Sequence, residues 1–378
     1  MLDQPLTRPQ ALSILMLFNF GSSVVLGVST GVGQDSWISL LISTLYAVPV
    51  MWMYARIISL NPGEGLFMAL ERRLGRALGK VATALMSWFA LHLCALVLRN
   101  FSEFVQDATM LETPQLPILI IMAMTVYMLA RNGGKALGKW SMATMPVVLG
   151  IVILTVLLSF NIMDPEYFLP VLENPIGKIA ADAYKTFSFP FAETVVFLGI
   201  ADFVRPSDSP LKIYMGGLLF STLIMLVIIA RNLMVLGPAV AAVDYFPSYS
   251  AVAIINLGDF FSRIEGSVSI NFMLAGITKI ALCLITASRG IASLFSIRDW
   301  RKLVAPAAFL AVMLAQILYN STTEMFAFLD YYGFYAIPFE LLIPILLWTV
   351  SEIRSRKAGG MACGADPGDA VGCARQGD

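Results

Sequence analysis

The sequence predicts an all-α polytopic membrane protein, and three observations carry that reading. Hydrophobic residues make up 58% of the 378 residues and charged residues only 13%, with a mean hydropathy of +0.78. A soluble chain carries about twice that charged share. The apolar residues fall into runs of about twenty, the length a helix needs to cross a bilayer. Within those runs apolar and polar residues do not alternate, as the strands of an outer-membrane barrel require.

Ten spans can be drawn, at approximately 11–30, 37–58, 81–104, 116–130, 140–160, 179–204, 213–229, 268–286, 304–320 and 333–350. Lysine and arginine set their orientation. Basic residues precede span one (Arg8) and follow span two (Arg56, Arg72, Arg73, Arg76, Lys80), span four (Arg131, Lys135, Lys139) and span six (Arg205, Lys212). They recur after span eight (Arg289, Arg298, Arg301, Lys302) and span ten (Arg354, Arg356, Lys357). The alternate loops are sparse in bases and carry Asp35, Asp107, Glu112, Asp164, Glu166, Glu173, Asp244, Glu324 and Asp330. Both termini are therefore expected in the cytoplasm, which requires an even number of spans.

The loops add detail. Residues 65–79 place Leu66, Phe67, Leu70 and Leu74 opposite Arg72, Arg73 and Arg76, an amphipathic interfacial pattern. Residues 256–265 read as a short surface helix with Phe260, Phe261 and Ile264 toward the membrane. One transmembrane domain is expected over residues 1–357. The tail, 358–378, is rich in glycine and alanine, lacks an apolar run and is expected to be disordered. The N-terminus is polar and its first apolar run lacks a small-residue cleavage site, so no cleavable signal peptide is expected.

Several function classes find little support. The formal net charge is zero, which suggests no polyanion-binding surface and no nucleic-acid partner. Cys94, Cys283, Cys363 and Cys373 have neither metal-ligand nor redox-pair spacing, and His92 is the only histidine. No metal or other cofactor is expected. An intramembrane enzyme would need paired aspartates, a metal cluster or a serine with a base, and no such set is recognisable.

The functional signal sits in span six. Residues 186–193 read Thr-Phe-Ser-Phe-Pro-Phe-Ala-Glu inside a segment otherwise fit to cross the membrane. Proline removes a helix hydrogen bond and clashes with the preceding turn. A mid-membrane carboxylate is costly, and broken backbone is tolerated only where protein or a watery cavity receives it. Span one is interrupted in turn by Asn19, Gly21, Ser22, Ser23 and Gly27. Ten spans divide into halves of five, about 8–162 and 176–352, whose odd number makes the second half inverted. Paired interruptions at corresponding places in two halves point to a central binding site.

The chain resembles the B subunits of bacterial spore germinant receptors, the GerAB-like permeases of the amino acid–polyamine–organocation superfamily. The resemblance spans residues 5–357. It rests on Gln10, Asp35-Ser36-Trp37, Leu74-Gly75 with Leu78-Gly79-Lys80, and Tyr127-Met128-Leu129-Ala130-Arg131-Asn132-Gly133. Phe168-Leu169-Pro170, Phe187 to Glu193 and Phe261-Ser262-Arg263-Ile264-Glu265 complete it. It implies a LeuT-like inverted repeat of five plus five helices, with helices one and six broken. It further implies a multi-pass protein of the spore inner membrane that binds a small nutrient, often an amino acid, and works with A and C subunits. The alternative is an amino-acid or metabolite transporter of the plasma membrane with the same fold.

Each candidate residue has two readings. Gly21, Ser22 and Ser23 would offer unwound backbone N–H groups to a ligand carboxylate, or else serve small-residue helix packing. Phe187, Ser188, Phe189, Pro190, Phe191 and Glu193 form the facing surface. Glu193 lies nine to twelve residues from Asp202 and Arg205, about 14–18 Å from that boundary at ~1.5 Å per residue. It would read a ligand ammonium, carry a proton, or sit in a structural ion pair. Lys279 is similarly deep; it would replace the cation that span eight helps bind in sodium-coupled members of the fold, or pair with Glu193, or snorkel to an interface. Arg99 and Glu103, four residues apart, would close an outer gate or form a solvated helix-end pair. His92, with Cys94 and Ala95, would line the pocket or be satisfied by a neighbouring helix.

Overall fold

The computed structural model describes residues 5–108, 110, 112–255 and 264–363, with backbone alone for 22, 24, 25 and 357–363. The expected surface helix at 256–265 therefore falls almost wholly outside the described residues, as does the tail beyond Cys363.

Helix α1 (Arg8–Leu26) begins where Gln10 Oε1 accepts from the Thr7 amide, at 3.0 Å, with Pro9 in the first turn. That capping contact gives Gln10 a structural reason. The helix stops at Gly27, which takes φ +73°, and Ser29 follows in the left-handed region at φ +59°. A 3-10 turn (Thr30–Asp35) leads into α2 (Ser36–Leu60). The Asp35 carboxylate accepts from the Leu172 amide (2.7 Å) and from both the amide and the side chain of Asn174 (3.0 and 2.9 Å), tying this connection to a loop more than 130 residues further along the chain.

The amphipathic α3 (Leu66–Leu74) buries Leu66, Phe67, Ala69 and Leu70 against α4 (Arg76–Ala108). A Cβ on Gly79 would meet the Glu71 Cα at 2.5 Å, so the α3–α4 corner closes only over a glycine. Then come α5 (Gln115–Arg131) and α6 (Gly133–Ser159). Helix α7 (Ile176–Thr186) breaks into a π turn (Phe187–Phe191) and a tightly wound segment (Ala192–Phe203). After it come α8 (Pro210–Leu236), the short α9 (Pro238–Val243) and α10 (Pro247–Ala253), α11 (Gly266–Leu294) and α12 (Val304–Ile317). The chain then runs through α13 (Thr322–Ile337), a π turn (Pro338–Leu342) and α14 (Ile343–Cys363).

Among the described residues, eight helical stretches are long and apolar enough to cross a membrane, and α5 is apolar but only 17 residues long. The protein is an integral membrane protein. Burial sorts the bundle into two layers. The most apolar windows of 76–108, 176–203 and 266–294 are 78%, 89% and 78% buried, against 33% for 133–162 and 300–317. Thus α1, α4, the broken α7 segment and α11 form the inside, with α11 packed on α4, α1, α6 and α5. One end carries Arg56, Arg72, Arg73, Arg289 and Arg354 and is called the basic end below; the other is the acidic end.

Two elements differ from expectation. The interruption of span one falls at Gly27–Ser29, because α1 stays helical through Gly21, Ser22 and Ser23. The last span is longer than 333–350, since α13 begins at Thr322, where Ser321 Oγ accepts from the Glu324 amide at 3.2 Å.

Candidate ligand site

The site starts from the break in α7. Phe189 leaves the helical region (φ −118°, ψ 108°) and Pro190 contributes no N–H. Side chains from distant elements brace the break. Ser188 Oγ donates to Glu340 Oε2 (2.9 Å), and the Tyr54 hydroxyl donates to Ala192 O (3.1 Å) and Glu340 O (2.6 Å).

One turn on, Glu193 and Lys279 form an ion pair with no exposure of either side chain. The other carboxylate oxygen of Glu193 accepts from the Tyr332 hydroxyl at 2.6 Å. The Lys279 ammonium also lies 4.9 Å from the Phe18 ring centroid and 4.8 Å from that of Phe189, within cation–π reach. Its stem crosses Gly21, where a Cβ would sit 2.7 Å from Lys279 Cδ and 2.9 Å from its Cβ. A single charge pair thus ties α1, the α7 break, α11 and α13 together. Burying two charges costs several kcal/mol each, offset only by close geometry and further hydrogen bonds. Tyr332 and the two rings supply those.

A cavity of about 440 Å³ leads in from the acidic end. Its walls include Ser29, Asp182, Thr186, Tyr245 and Phe326, and the Lys185–Asp330 ion pair (2.6 Å) stands at its mouth. The half-buried Phe189 lines it at depth. The same ring lines a second pocket with Leu96, Asn100, Tyr319, Tyr332 and Glu193. That pocket has about 10 Å³ of usable volume, room for no more than about one water. Phe189 therefore separates an open vestibule from a nearly filled pocket at the ion pair. Toward the basic end, residues 194–201 are buried without interruption. There Arg289 clamps Asp202 through two bonds (2.7 and 2.6 Å), donates to Gly199 O (2.7 Å) and covers the Phe203 ring.

The structure brings Gly21, Phe189, Glu193 and Lys279 into one cluster, with Ser188 beside it. Others of the expected set lie elsewhere. Phe187 packs on Tyr46 and Tyr184, while Pro190 and Phe191 are buried in the core. Ser23 donates to Asn19 O one turn back and faces a crevice between α1 and α8; the Ser22 side chain lies outside the described residues. With α1 wound through this stretch, its N–H groups stay in the helix, and Gly21 serves close packing of Lys279. His92 stacks on Trp88 (5.5 Å) and meets Tyr335 (5.2 Å), while Leu93, Leu96, Val97 and Asn100 of the same helix line the pocket. Arg99 and Glu103 do pair, at 2.6 Å, but buried rather than solvated. Arg99 donates to Ala315 O, and Glu103 accepts from Gln115 and Thr322, so α5, α12 and α13 cover the pair.

Tyr332, Asn100 and Glu340 were missed by the sequence reading. Glu340 carried a usable signal: a carboxylate two residues after Pro338 in an apolar run, much like Glu193 after Pro190. Among the described residues, no group of three or more histidine, cysteine, aspartate or glutamate side chains is placed to hold a metal.

A bundle whose broken helices meet at a buried charge below a vestibule has the architecture of LeuT-fold transporters. Two solved structures share it: Mhp1, a nucleobase-cation-symport-1 family transporter, closed with bromovinylhydantoin bound (TM-score 0.64, 15% identity, 90% of this chain and 78% of that one), and MhsT in complex with L-phenylalanine (TM-score 0.65, 12% identity, 91% and 89%). Within that class the chain belongs to the spore germination protein family, whose model matches residues 5–325. It is 23% identical over 354 residues to spore germination protein KB of Bacillus subtilis (strain 168), covering 92% of this chain and 95% of that one. It is also 20% identical over 323 residues to the putative spore germination protein YfkT of the same organism, covering 85% and 88%.

Proposed function

We propose that this chain is the nutrient-sensing subunit of a spore germinant receptor. It binds a small ligand, an amino acid in our reading, between the α7 break and α1, and signals to A and C subunits in the spore inner membrane. Both termini then face the spore core, and the chain crosses the membrane ten times. The observation that carries this is the Glu193–Lys279 pair, which joins four helices directly behind a ring that floors an open vestibule. A ligand that displaces Phe189 reaches groups on all four helices at once. It shifts the arrangement of the bundle only by binding one arrangement more tightly than another. The family match supports the germination role.

A second reading, transport of the ligand across the membrane, is favoured by the two transporters that share the fold. The experiment is deletion of the gene in its source organism. Nutrient-triggered germination of spores is compared with uptake of labelled amino acids by growing cells. Lost germination with unchanged uptake supports the receptor; normal germination with reduced uptake of one solute makes the chain a transporter and names its substrate.

A further inference from the structure

A crevice of about 390 Å³ runs along the outside of the bundle between α5 and α12. Leu116, Ile120 and Met124 rise on one side, Phe309 and Met313 on the other, all exposed. Ala123, Ala308 and Val312 are buried along its floor, so the crevice exists because two of its floor side chains are single methyl groups. At the basic end it opens into a polar pocket of about 430 Å³ lined by Tyr127, Arg131, Asp299, Arg301, Lys302 and Ala305. Tyr127 and Ala305 line both, so crevice and pocket form one continuous surface.

The pocket holds three cations against one carboxylate, and that carboxylate already accepts from the Arg301 amide (3.2 Å). Two of the cations are set by aromatic rings. Arg131 donates to the Tyr127 hydroxyl (2.9 Å) with its guanidinium 5.9 Å from the ring centroid, and Arg301 lies 5.3 Å over Trp300. We propose that this surface binds one anionic phospholipid of the leaflet at the basic end, acyl chain in the crevice and phosphate among Arg131, Arg301 and Lys302. A guanidinium matches two phosphate oxygens at once, and an ammonium adds a point charge.

Charge decides against a transmembrane helix as the occupant. From Leu116 to Tyr127 the crevice covers about 16 Å at ~1.5 Å per residue, close to the ~15 Å that the acyl chains of one leaflet fill of the ~30 Å hydrocarbon core. Arg131 lies one turn further, at headgroup depth. A partner helix needs an apolar face along its length and has no use for three cations at the basic end of the groove. A zwitterionic lipid brings its own ammonium and gains less from three cations than an anionic one. Bound there, the lipid bridges α5 and α12, which both pack on α4 and α11, the helices that carry Asn100 and Lys279.

The test is native mass spectrometry of the full-length protein after exposure to equimolar phosphatidylglycerol and phosphatidylcholine. The wild type is expected to retain phosphatidylglycerol preferentially. Arg131→Gln with Lys302→Gln should weaken that retention about 25-fold, at about fivefold per cation near an anionic surface. Ala308→Trp should fill the crevice and lower retention of both lipids with the charges intact. Both variants are compared at unchanged lipid-free melting temperature, and Ala308→Phe replaces the tryptophan variant should that one melt early. A wild-type preference kept by the double variant, or undiminished retention in the filled crevice, overturns the proposal. So does a photo-cross-linker at Phe309 that captures a protein instead of lipid in native membranes.

Discussion

The stem of Lys279 lies directly across Gly21, so that any side chain on Gly21 would enter the space of the buried ammonium's own methylenes. The neighbour is held from both ends, by α11 and by Glu193, and has little room to yield. Overpacking of this kind costs about 1–3 kcal/mol per added group or two. Gly21→Ala should lower thermal stability by that amount and weaken the nutrient response. Gly21→Leu should abolish the response while protein still accumulates in the membrane. Membrane abundance by immunoblot, read beside germination, checks both; a normal response in Gly21→Leu would sink this site.

The Glu193–Lys279 pair predicts an asymmetric pattern of stability. Removing one partner leaves a buried charge unpaired, at a cost of about 3–5 kcal/mol. Glu193→Leu and Lys279→Met should each show that loss in detergent melting curves. The double variant Glu193→Leu with Lys279→Met should recover most of it, as apolar replacements of buried pairs do. The charge swap, Glu193→Lys with Lys279→Glu, should also exceed either single variant. Additive losses in the cycle would mean that the two charges do not interact.

Much of this arrangement was legible in the sequence, and the limits have physical causes. The runs of apolar residues placed the helices, because crossing length and lack of charge are local properties. The break at Phe189 was legible for the same reason. The break in the first helix was legible only at Gly27, the last residue of the expected interruption. Gly21, Ser22 and Ser23 look like an interruption, yet Ser23 bonds back to Asn19 and Gly21 is needed small by α11. Only the partner helix reveals that. The burial of Arg99 and Glu103 depends on Ala315, Gln115 and Thr322, which come from three other helices. Tyr332 was invisible because a tyrosine in an apolar run looks like any other core aromatic until its hydroxyl finds Glu193, 139 residues away.

Tyr332→Phe isolates the hydrogen bond that links α13 to the charge pair. The ring stays, and Glu193 loses one donor while keeping Lys279. Hydrogen bonds to charged groups contribute about 1.5–3 kcal/mol. Melting temperature should fall accordingly, and the nutrient concentration for half-maximal germination should change with protein level constant. An unchanged melting curve and dose response would show that α13 is held by its other contacts.

Phe189 stands between the vestibule and the pocket that contains Asn100. Phe189→Ala should merge the two. A cysteine at position 100, in a background without the native cysteines, should then react faster with a polar thiol reagent added from the acidic end. Equal rates with and without Phe189 would mean that the ring does not limit access.

At the other end of the same helix, Arg289 and Asp202 close the bundle, and the two partners are not equivalent. Among the described residues, the Asp202 side chain bonds only to Arg289. Arg289 also donates to Gly199 O and covers Phe203. Asp202→Asn should therefore cost about 1–2 kcal/mol and Arg289→Gln about 3 kcal/mol or more. Hydrogen exchange should quicken over residues 196–204 in the same order. The direction of the functional effect follows from the arrangement seen here, with a vestibule at the acidic end and a packed basic end. If the signalling arrangement opens the basic end, each ~1.4 kcal/mol removed from this clamp raises its population about tenfold while it remains the minor form. Spores carrying Arg289→Gln should then germinate spontaneously at a raised rate without nutrient, and those carrying Asp202→Asn at a rate between that and the wild type. Loss of germination in both variants, with the protein present in the membrane, would instead place the signalling arrangement on the side of the closed clamp.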